Sequence, residues 1–292
     1  MKHAASLLIL TALGAWANVS AQSVPSAIFT DPPADKAHPA KMTVIHIPTH
    51  GVEINGVVYS PAGAGPHPTI VICHGLPGNE KNLDLAQALR RAGWNAVTFN
   101  YRGSWGSPGN FRFAQNLEDA KAVLTYLRDN AKMLGVDTSR IVLSGHSMGG
   151  WVVAHTAAQD HALIGAILIS AADMGRSGAG PPDRLLKSMA DDLESLNGTT
   201  AETMAAELRD NAAAFRMENA AAGLAQIPLL ALTADDGLAP DSAALAKAIE
   251  AKGGHQATVK HFTTDHSFSD HRIALESEII NWLAALLKQN QR

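Results

Sequence analysis

The sequence predicts an α/β fold, a mostly parallel eight-stranded sheet with helices on both faces and a small helical cap insertion. Three observations point there. From residue 41 onward, eight short apolar or alternating runs are interleaved with longer stretches of helical period. One of these runs, 141–143, passes through Gly145-His146-Ser147-Met148-Gly149-Gly150 into an apolar helical stretch, which makes a very tight strand-to-helix turn. The alternation then stops between residues 173 and 226, an alanine-rich segment with no strand-like run, and resumes after it. Parallel neighbours need crossover connections, so sustained alternation of strand and helix builds a parallel sheet with right-handed crossovers.

Taken in order, the chain opens with Lys2 and His3 before an apolar run over 7–13, and closes that stretch with Val19-Ser20-Ala21 ahead of Gln22. A basic start, a short apolar core and small residues at a cleavage point make 1–21 a signal peptide, too short to span a bilayer as a stable helix. We therefore expect an exported protein, periplasmic or secreted, with no membrane attachment once the leader is removed. Pro25, Pro32, Pro33 and Pro39 make 22–40 an extended tether, and 41–292 the domain. Runs 42–47 and 52–59 alternate about a Thr49-His50-Gly51 turn, an antiparallel hairpin for a sheet edge. After a Gly/Pro loop at 61–68, residues 69–73 are continuously apolar, as in a strand buried on both faces. A helix capped by Asn79 follows, with Leu83, Leu85, Ala86 and Leu89 on its apolar face, and Gly93 ends it. Strand 95–100, helix 117–127, strand 141–143, the helix after Ser147 and strand 166–169 come next.

The segment 173–226 reads as a helical cap over the carboxyl edge of the sheet, opening with a Gly/Pro loop at 175–182. It holds Met174, Met189, Met204 and Met217, half of the chain's methionines, which suit either a flexible acyl-binding lining or ordinary helix packing. Strand 228–233, helix 240–250, strand 257–262 and a closing helix over 273–287 complete the chain.

Composition narrows the function. A net charge of −4 offers no basic face to nucleic acid. Cys73 is the sole cysteine, so there is no disulfide framework and no lipid-attachment site; within a buried strand it serves as a small inert hydrophobe. No H-E-x-x-H, no Cys/His cluster and no G-x-x-x-x-G-K element occurs, so metal and phosphate-loop chemistry are set aside and no cofactor is called for.

The chemistry centres on Ser147. A serine on a strained turn presents its hydroxyl above the sheet edge, and Gly145 and Gly149 leave room across that turn. Gly150 allows the helix to approach its strand. The Met148 N–H, at the helix N-terminus, points where an oxyanion would form. A second donor is the Leu76 N–H, freed by Gly75 in His74-Gly75-Leu76-Pro77-Gly78; His74 reads as a structural residue bonding its own loop. A serine hydroxyl is a poor nucleophile without a base and an orienting acid, and ligands gather where parallel strands end. Of the acids after strand 228–233, Asp236 lies four residues before the helix-opening Pro240, with Asp235 the alternative. The base is His266, in the loop after the last strand; His261 reads as packed in that strand and His271 as opening the final helix. Tyr101 to Gly106 is expected to shape one wall of the pocket.

These motifs, with Asn100-Tyr101-Arg102-Gly103, Gly145 to Gly150, the Asp235-Asp236…Pro240 loop and Asp265-His266-Ser267-Phe268, resemble the α/β-hydrolase superfamily. The likeness is to the bacterial branch that grades into serine aminopeptidases, acylaminoacyl-peptidase-type domains and carboxylesterases, and runs from about Met42 to Leu287 outside the cap. It implies Ser147 as nucleophile, Asp236 as acid, His266 as base, and Leu76 with Met148 as oxyanion donors. The activity so implied is hydrolysis of carboxylic esters or related small acyl compounds through an acyl-enzyme. The alternative is a serine exopeptidase acting on short peptides, with Glu80, Glu194 or Glu202 holding an α-ammonium. A catalytically silent binding module on the same scaffold is the third reading. The oligomeric state does not follow from the sequence.

Overall fold

A computed structural model describes residues 24–289; the expected signal peptide, 1–21, lies outside the described residues. The strands are β1 (Lys41–Thr49), β2 (Val52–Ser60), β3 (His67–Cys73), β4 (Asn95–Phe99), β5 (Val136–His146), β6 (Leu163–Ile169), β7 (Leu229–Thr233) and β8 (Ala257–His261). They form one sheet in the order β1-β2-β4-β3-β5-β6-β7-β8. β2 pairs antiparallel with β1 and β4, and every other pairing is parallel. The β1–β2 hairpin turns on His50 (φ 44°) and Gly51 (φ 84°), both left-handed, as a two-residue loop between right-twisted strands requires.

Each central strand sends alternate side chains to opposite cores, which is why these runs carry no polar alternation. Val71, Cys73, Leu143, Leu168 and Ala231 face one core, closed by helices Phe113–Asp129, Met148–Ala157 and Ala239–Ala251. Ile70, Ile72, Val142, Ile167, Ile169, Leu230 and Leu232 face the other, closed by helices Leu83–Arg91 and Arg272–Gln289. Burial pushes the Cys73 thiol up to about 12, so it stays protonated and unreactive.

Between β6 and β7 the chain is helical: Met174–Gly178, Pro182–Asp191, Ala201–Asp210, a 3-10 turn at Met217–Ala220, and Ala221–Leu224. The first replaces part of the expected Gly/Pro loop. Asp173 makes it possible, its Oδ1 accepting the N–H groups of Gly175 at 2.9 Å and Arg176 at 3.1 Å. Two other local expectations are corrected. The helix expected to start after Asn79 begins at Leu83, with Asn82 ahead of it in a left-handed conformation, and no side chain caps it. Leu83, placed on the apolar face from the sequence, is exposed, because the buried stripe runs through Leu85, Ala86, Ala88 and Leu89. The described part of the expected tether, from residue 24, also lies against the domain. Arg91 donates to the carbonyls of Ala27 (2.5 Å) and Ile28 (3.0 Å), and both residues pack on the second core.

Candidate active site

The turn after β5 is built as its glycines require. Ser147 sits at φ +57°, a left-handed conformation that L-residues adopt only under constraint. Backbone bonds hold it there: its N–H donates to Ile169 O (2.9 Å), and its carbonyl accepts from Gly150 (2.9 Å) and Ala172 (3.1 Å). A Cβ on Gly145 would collide with the Gly149 carbonyl, and one on Gly149 with the carbonyls of Cys73 and His74. Gly150 serves a different neighbour from the one expected: its missing Cβ makes room for Ala171, after β6, instead of for β5.

The two expected oxyanion donors lie on either side of Ser147. Met148 opens helix Met148–Ala157, so its N–H has no partner within the helix. Leu76 comes from the loop after β3, and that loop touches the turn closely enough that a Cβ on Gly75 would lie 3.0 Å from Ser147 Cβ. Both residues line a cavity of about 380 Å³ together with Ser147. The loop is braced from behind. Buried His74, its pKa driven down to about 4 by desolvation, donates from Nδ1 to Gly75 O at 2.7 Å. The Trp105 indole N–H reaches Pro77 O (2.6 Å) and the Tyr101 hydroxyl reaches His74 O (3.3 Å). Tyr101 to Gly106 therefore supports the loop, where the sequence suggested a cavity wall; none of these residues is part of the lining.

Asp236 and His266 are joined. His266 Nδ1 lies 2.7 Å from Asp236 Oδ2, across the loops that follow β8 and β7. Burial raises the Asp236 pKa, but hydrogen bonds from His266 and the Leu238 N–H, with the nearby Ser170 hydroxyl, outweigh it and hold the carboxyl below its ordinary 3.8. Asp235 points elsewhere, at 3.0 Å from His261 Nε2. His261 is thus a half-exposed partner of Asp235 and Thr233 at the end of β8, and not a packed strand residue. His271 precedes helix Arg272–Gln289 and pairs with Asp270 at 2.9 Å.

His146, the residue before Ser147, lies against the His266 ring and donates from Nε2 to the His266 carbonyl oxygen. Among the described residues, Ser147 Oγ makes no hydrogen bond to the imidazole; such bonds are often formed only once substrate is present. Sequence reasoning passed over His146, whose partner lies 120 positions away.

The rest of the cavity comes largely from the helical insertion. Met174, Leu185 and Met189 give it apolar walls and, with Met204 and Met217, are part of the buried core, so all four methionines pack between helices and two of them also face the cavity. Its charged groups are Arg176, Arg184, Asp192 and Asp241, of which Arg176 and Asp241 form an ion pair. Glu80, Glu194 and Glu202 do not line it; Glu80 is held by the Asn82 N–H at 2.5 Å.

Comparison with known proteins places this arrangement. An uncharacterised 31.7 kDa protein of Escherichia coli is 38% identical over 105 residues, 34% of this chain and 36% of that protein, so the match spans about a third of the relative's length. Among solved structures, the carboxylesterase EstE1, cloned from a metagenomic library, matches with a TM-score of 0.65 at 22% identity, covering 90% of this chain and 92% of that one. The acylaminoacyl peptidase of Pyrococcus horikoshii matches with a TM-score of 0.67 at 17% identity, over 84% of this chain and 41% of that one. At such identities these two structures speak for the fold. The chain also matches the family model for alpha/beta hydrolases over residues 70–280, from the middle of β3 into the last helix, and on that match it belongs to the alpha/beta hydrolase family.

Proposed function

We propose that this chain is an exported serine hydrolase of carboxylic esters or related acyl compounds, with Ser147 as nucleophile, His266 as general base and Asp236 as the acid that orients it. The observation that carries the reading is the 2.7 Å bond between His266 Nδ1 and Asp236, in loops that follow strands at the same sheet edge as the strained Ser147 turn. An aspartate bonded to Nδ1–H fixes the tautomer that leaves Nε2 free to accept a proton, and it stabilises the imidazolium that results.

In the proposed reaction His266 Nε2 takes the Ser147 proton as Oγ attacks the ester carbonyl. The N–H groups of Leu76 and Met148 hold the oxyanion, each such donor being worth about 3–4 kcal/mol in a comparable hydrolase. Collapse expels the alcohol, which leaves with the proton from His266. Water, deprotonated by the same imidazole, attacks the acyl-serine, and its collapse releases the acid and restores Ser147. These groups suffice without a cofactor. Export rests on the leader-like residues 1–21.

The test is a fluorophosphonate label and a p-nitrophenyl ester. Wild-type protein should be labelled at Ser147 and show a burst of p-nitrophenol, and Ser147→Ala should lose both. Turnover that persists in Ser147→Ala would sink the assignment.

A further inference from the structure

The charged groups on the wall of the cavity that Ser147 lines are not equivalent. Asp241 is neutralised by Arg176, and Asp173 beneath it by Arg216 at 3.1 Å. Arg184 is exposed in the first turn of helix Pro182–Asp191, where water solvates it. Asp192 differs from all of these. It caps the C-terminal end of that helix, where the last carbonyls already concentrate negative charge. No cation and no hydrogen-bond donor among the described residues reaches its carboxylate. Its neighbour Asp191 is bound by Lys187 at 2.8 Å yet still adds negative potential. Burial first, and then Asp191, push the Asp192 carboxyl up to about 6. A carboxylate so placed is a cost to the fold that a neutral side chain would not impose, and such costs gather at sites of function.

Its position is also fixed. Three residues on, the Ser195 hydroxyl lies 3.4 Å from Pro77 O, and the Ser195 carbonyl accepts the Trp105 N–H at 3.0 Å. The Asp192 end of the helix is thereby fastened to the loop that carries Leu76, while Arg184 stands eight residues back, roughly 12 Å along the axis. The cavity lining contains no aromatic face, so a cation there must be recognised by a carboxylate and not by a π-system. A carboxylate favours an ammonium that can donate hydrogen bonds over a quaternary one.

We propose that Asp192 is a substrate-binding residue, and that the preferred substrates are esters carrying a primary ammonium group, which pairs with Asp192 while Leu185, Met174 and Met189 enclose the aliphatic part. This rests on the hydrolase reading above.

The experiment compares isosteric esters in which –NH3+ replaces –CH3. With the charge on the acyl side these are the p-nitrophenyl esters of 6-aminohexanoate and heptanoate. With the charge on the alcohol side they are 6-aminohexyl and heptyl acetate. In at least one pair, kcat/KM at pH 8 should favour the cation by roughly tenfold, the worth of one charge-assisted hydrogen bond. The ratio should fall to near one in Asp192→Asn and survive in Asp192→Glu. No preference in either pair, or a preference retained by Asp192→Asn, overturns the proposal. Should Asp192→Asn fail to fold, the wild-type ratio decides. It should collapse between pH 8 and pH 5 as Asp192 is protonated, with the neutral ester at each pH cancelling any pH dependence common to both substrates; the other charges on the cavity wall are Arg184 and the Arg176–Asp241 pair. A ratio that holds at pH 5 is a negative result. If neither ester is turned over and Ser147 takes no label, it is the hydrolase reading that fails. Calorimetry of hexylammonium with wild type and Asp192→Asn then decides the cation site alone: weaker binding to the variant supports it, and equal binding refutes it.

Discussion

The ring of His146 lies against the ring of His266, centroids 4.6 Å apart, and His146 Nε2–H donates to the His266 carbonyl oxygen at 2.9 Å. The residue before the proposed nucleophile therefore holds both the side chain and the backbone of the proposed base. Burial, and then the His266 charge, lower the His146 pKa to about 4, so at neutral pH it is an uncharged donor and not a second base. His146→Phe keeps an aromatic ring at this tilted contact and loses the bond. We expect kcat to fall on the order of 10²-fold with KM little changed, as misplacement of a reacting group does. Steady-state kinetics on a p-nitrophenyl ester check this, and a kcat within threefold of wild type would show that His266 does not need this hold.

The two adjacent aspartates make opposite predictions. Asp236→Asn removes the acceptor behind His266 Nδ1 and should cost about 10⁴ in kcat, as loss of an orienting carboxylate does in serine hydrolases. Asp235→Asn removes only a half-exposed pairing with His261 and should change kcat by less than about threefold. The reverse pattern would exchange their roles.

Asp119 is a structural anchor. It is fully buried beneath Arg102, accepting from Arg102 Nε (2.6 Å), the Arg102 N–H (2.9 Å) and Thr49 Oγ1 (3.1 Å). Truncation to alanine leaves the guanidinium its bond to Glu118 (2.5 Å) but takes the acceptor from Arg102 Nε, the buried Arg102 N–H and Thr49, and should destabilise the fold by about 2–3 kcal/mol in urea denaturation. A loss under about 1 kcal/mol would mean that water takes the place of the carboxylate.

Glu276 sets a pH dependence of stability. Burial first, and then the charge of Asp84, raise it from 4.5 to about 7, against the opposing pull of Arg272 and Arg91. The folded state thus binds this proton more tightly than the unfolded chain, so the contribution to stability is fully present below about pH 4.5, declines as the pH rises toward 7, and is gone above it. Glu276→Gln removes the decline. Its melting temperature should exceed that of wild type at pH 8 and match it near pH 4, and a lower value at pH 8 would show that the carboxylate is instead stabilised by its arginines.

The parts of this fold that were legible from sequence are those written in local periodicity. Strands β3, β6 and β7 and the second half of β5 betray themselves because both faces are buried, leaving apolar runs such as Ile70 to Cys73, whereas the polar first half of β5 (Asp137 to Arg140) does not. The Ser147 turn is legible because crowding across it leaves room only for glycine. What was not legible depends on pairings between distant segments. Asp235 and Asp236 differ by one position, and only the paths of the loops after β7 and β8 decide which of them meets His266. Asn79 satisfies the pattern of a helix cap, but the helix begins four residues later, after Asn82, whose side chain is engaged by Arg272 at 3.0 Å from the far end of the chain. Tyr101 to Gly106 carries aromatic and basic residues of the kind that line pockets, yet buried Asp119 holds Arg102 inward.

More than half of the residues around the cavity belong to the segment between β6 and β7, and none of its helices contributes a rung to the sheet. β6 and β7 are direct neighbours, so the whole insertion leaves and returns across a single interstrand step. The proposed catalytic residues and the wall over them are therefore modular: a different loop grafted at that step would reshape the cavity while the ladder beneath Ser147 and Asp236 keeps its register.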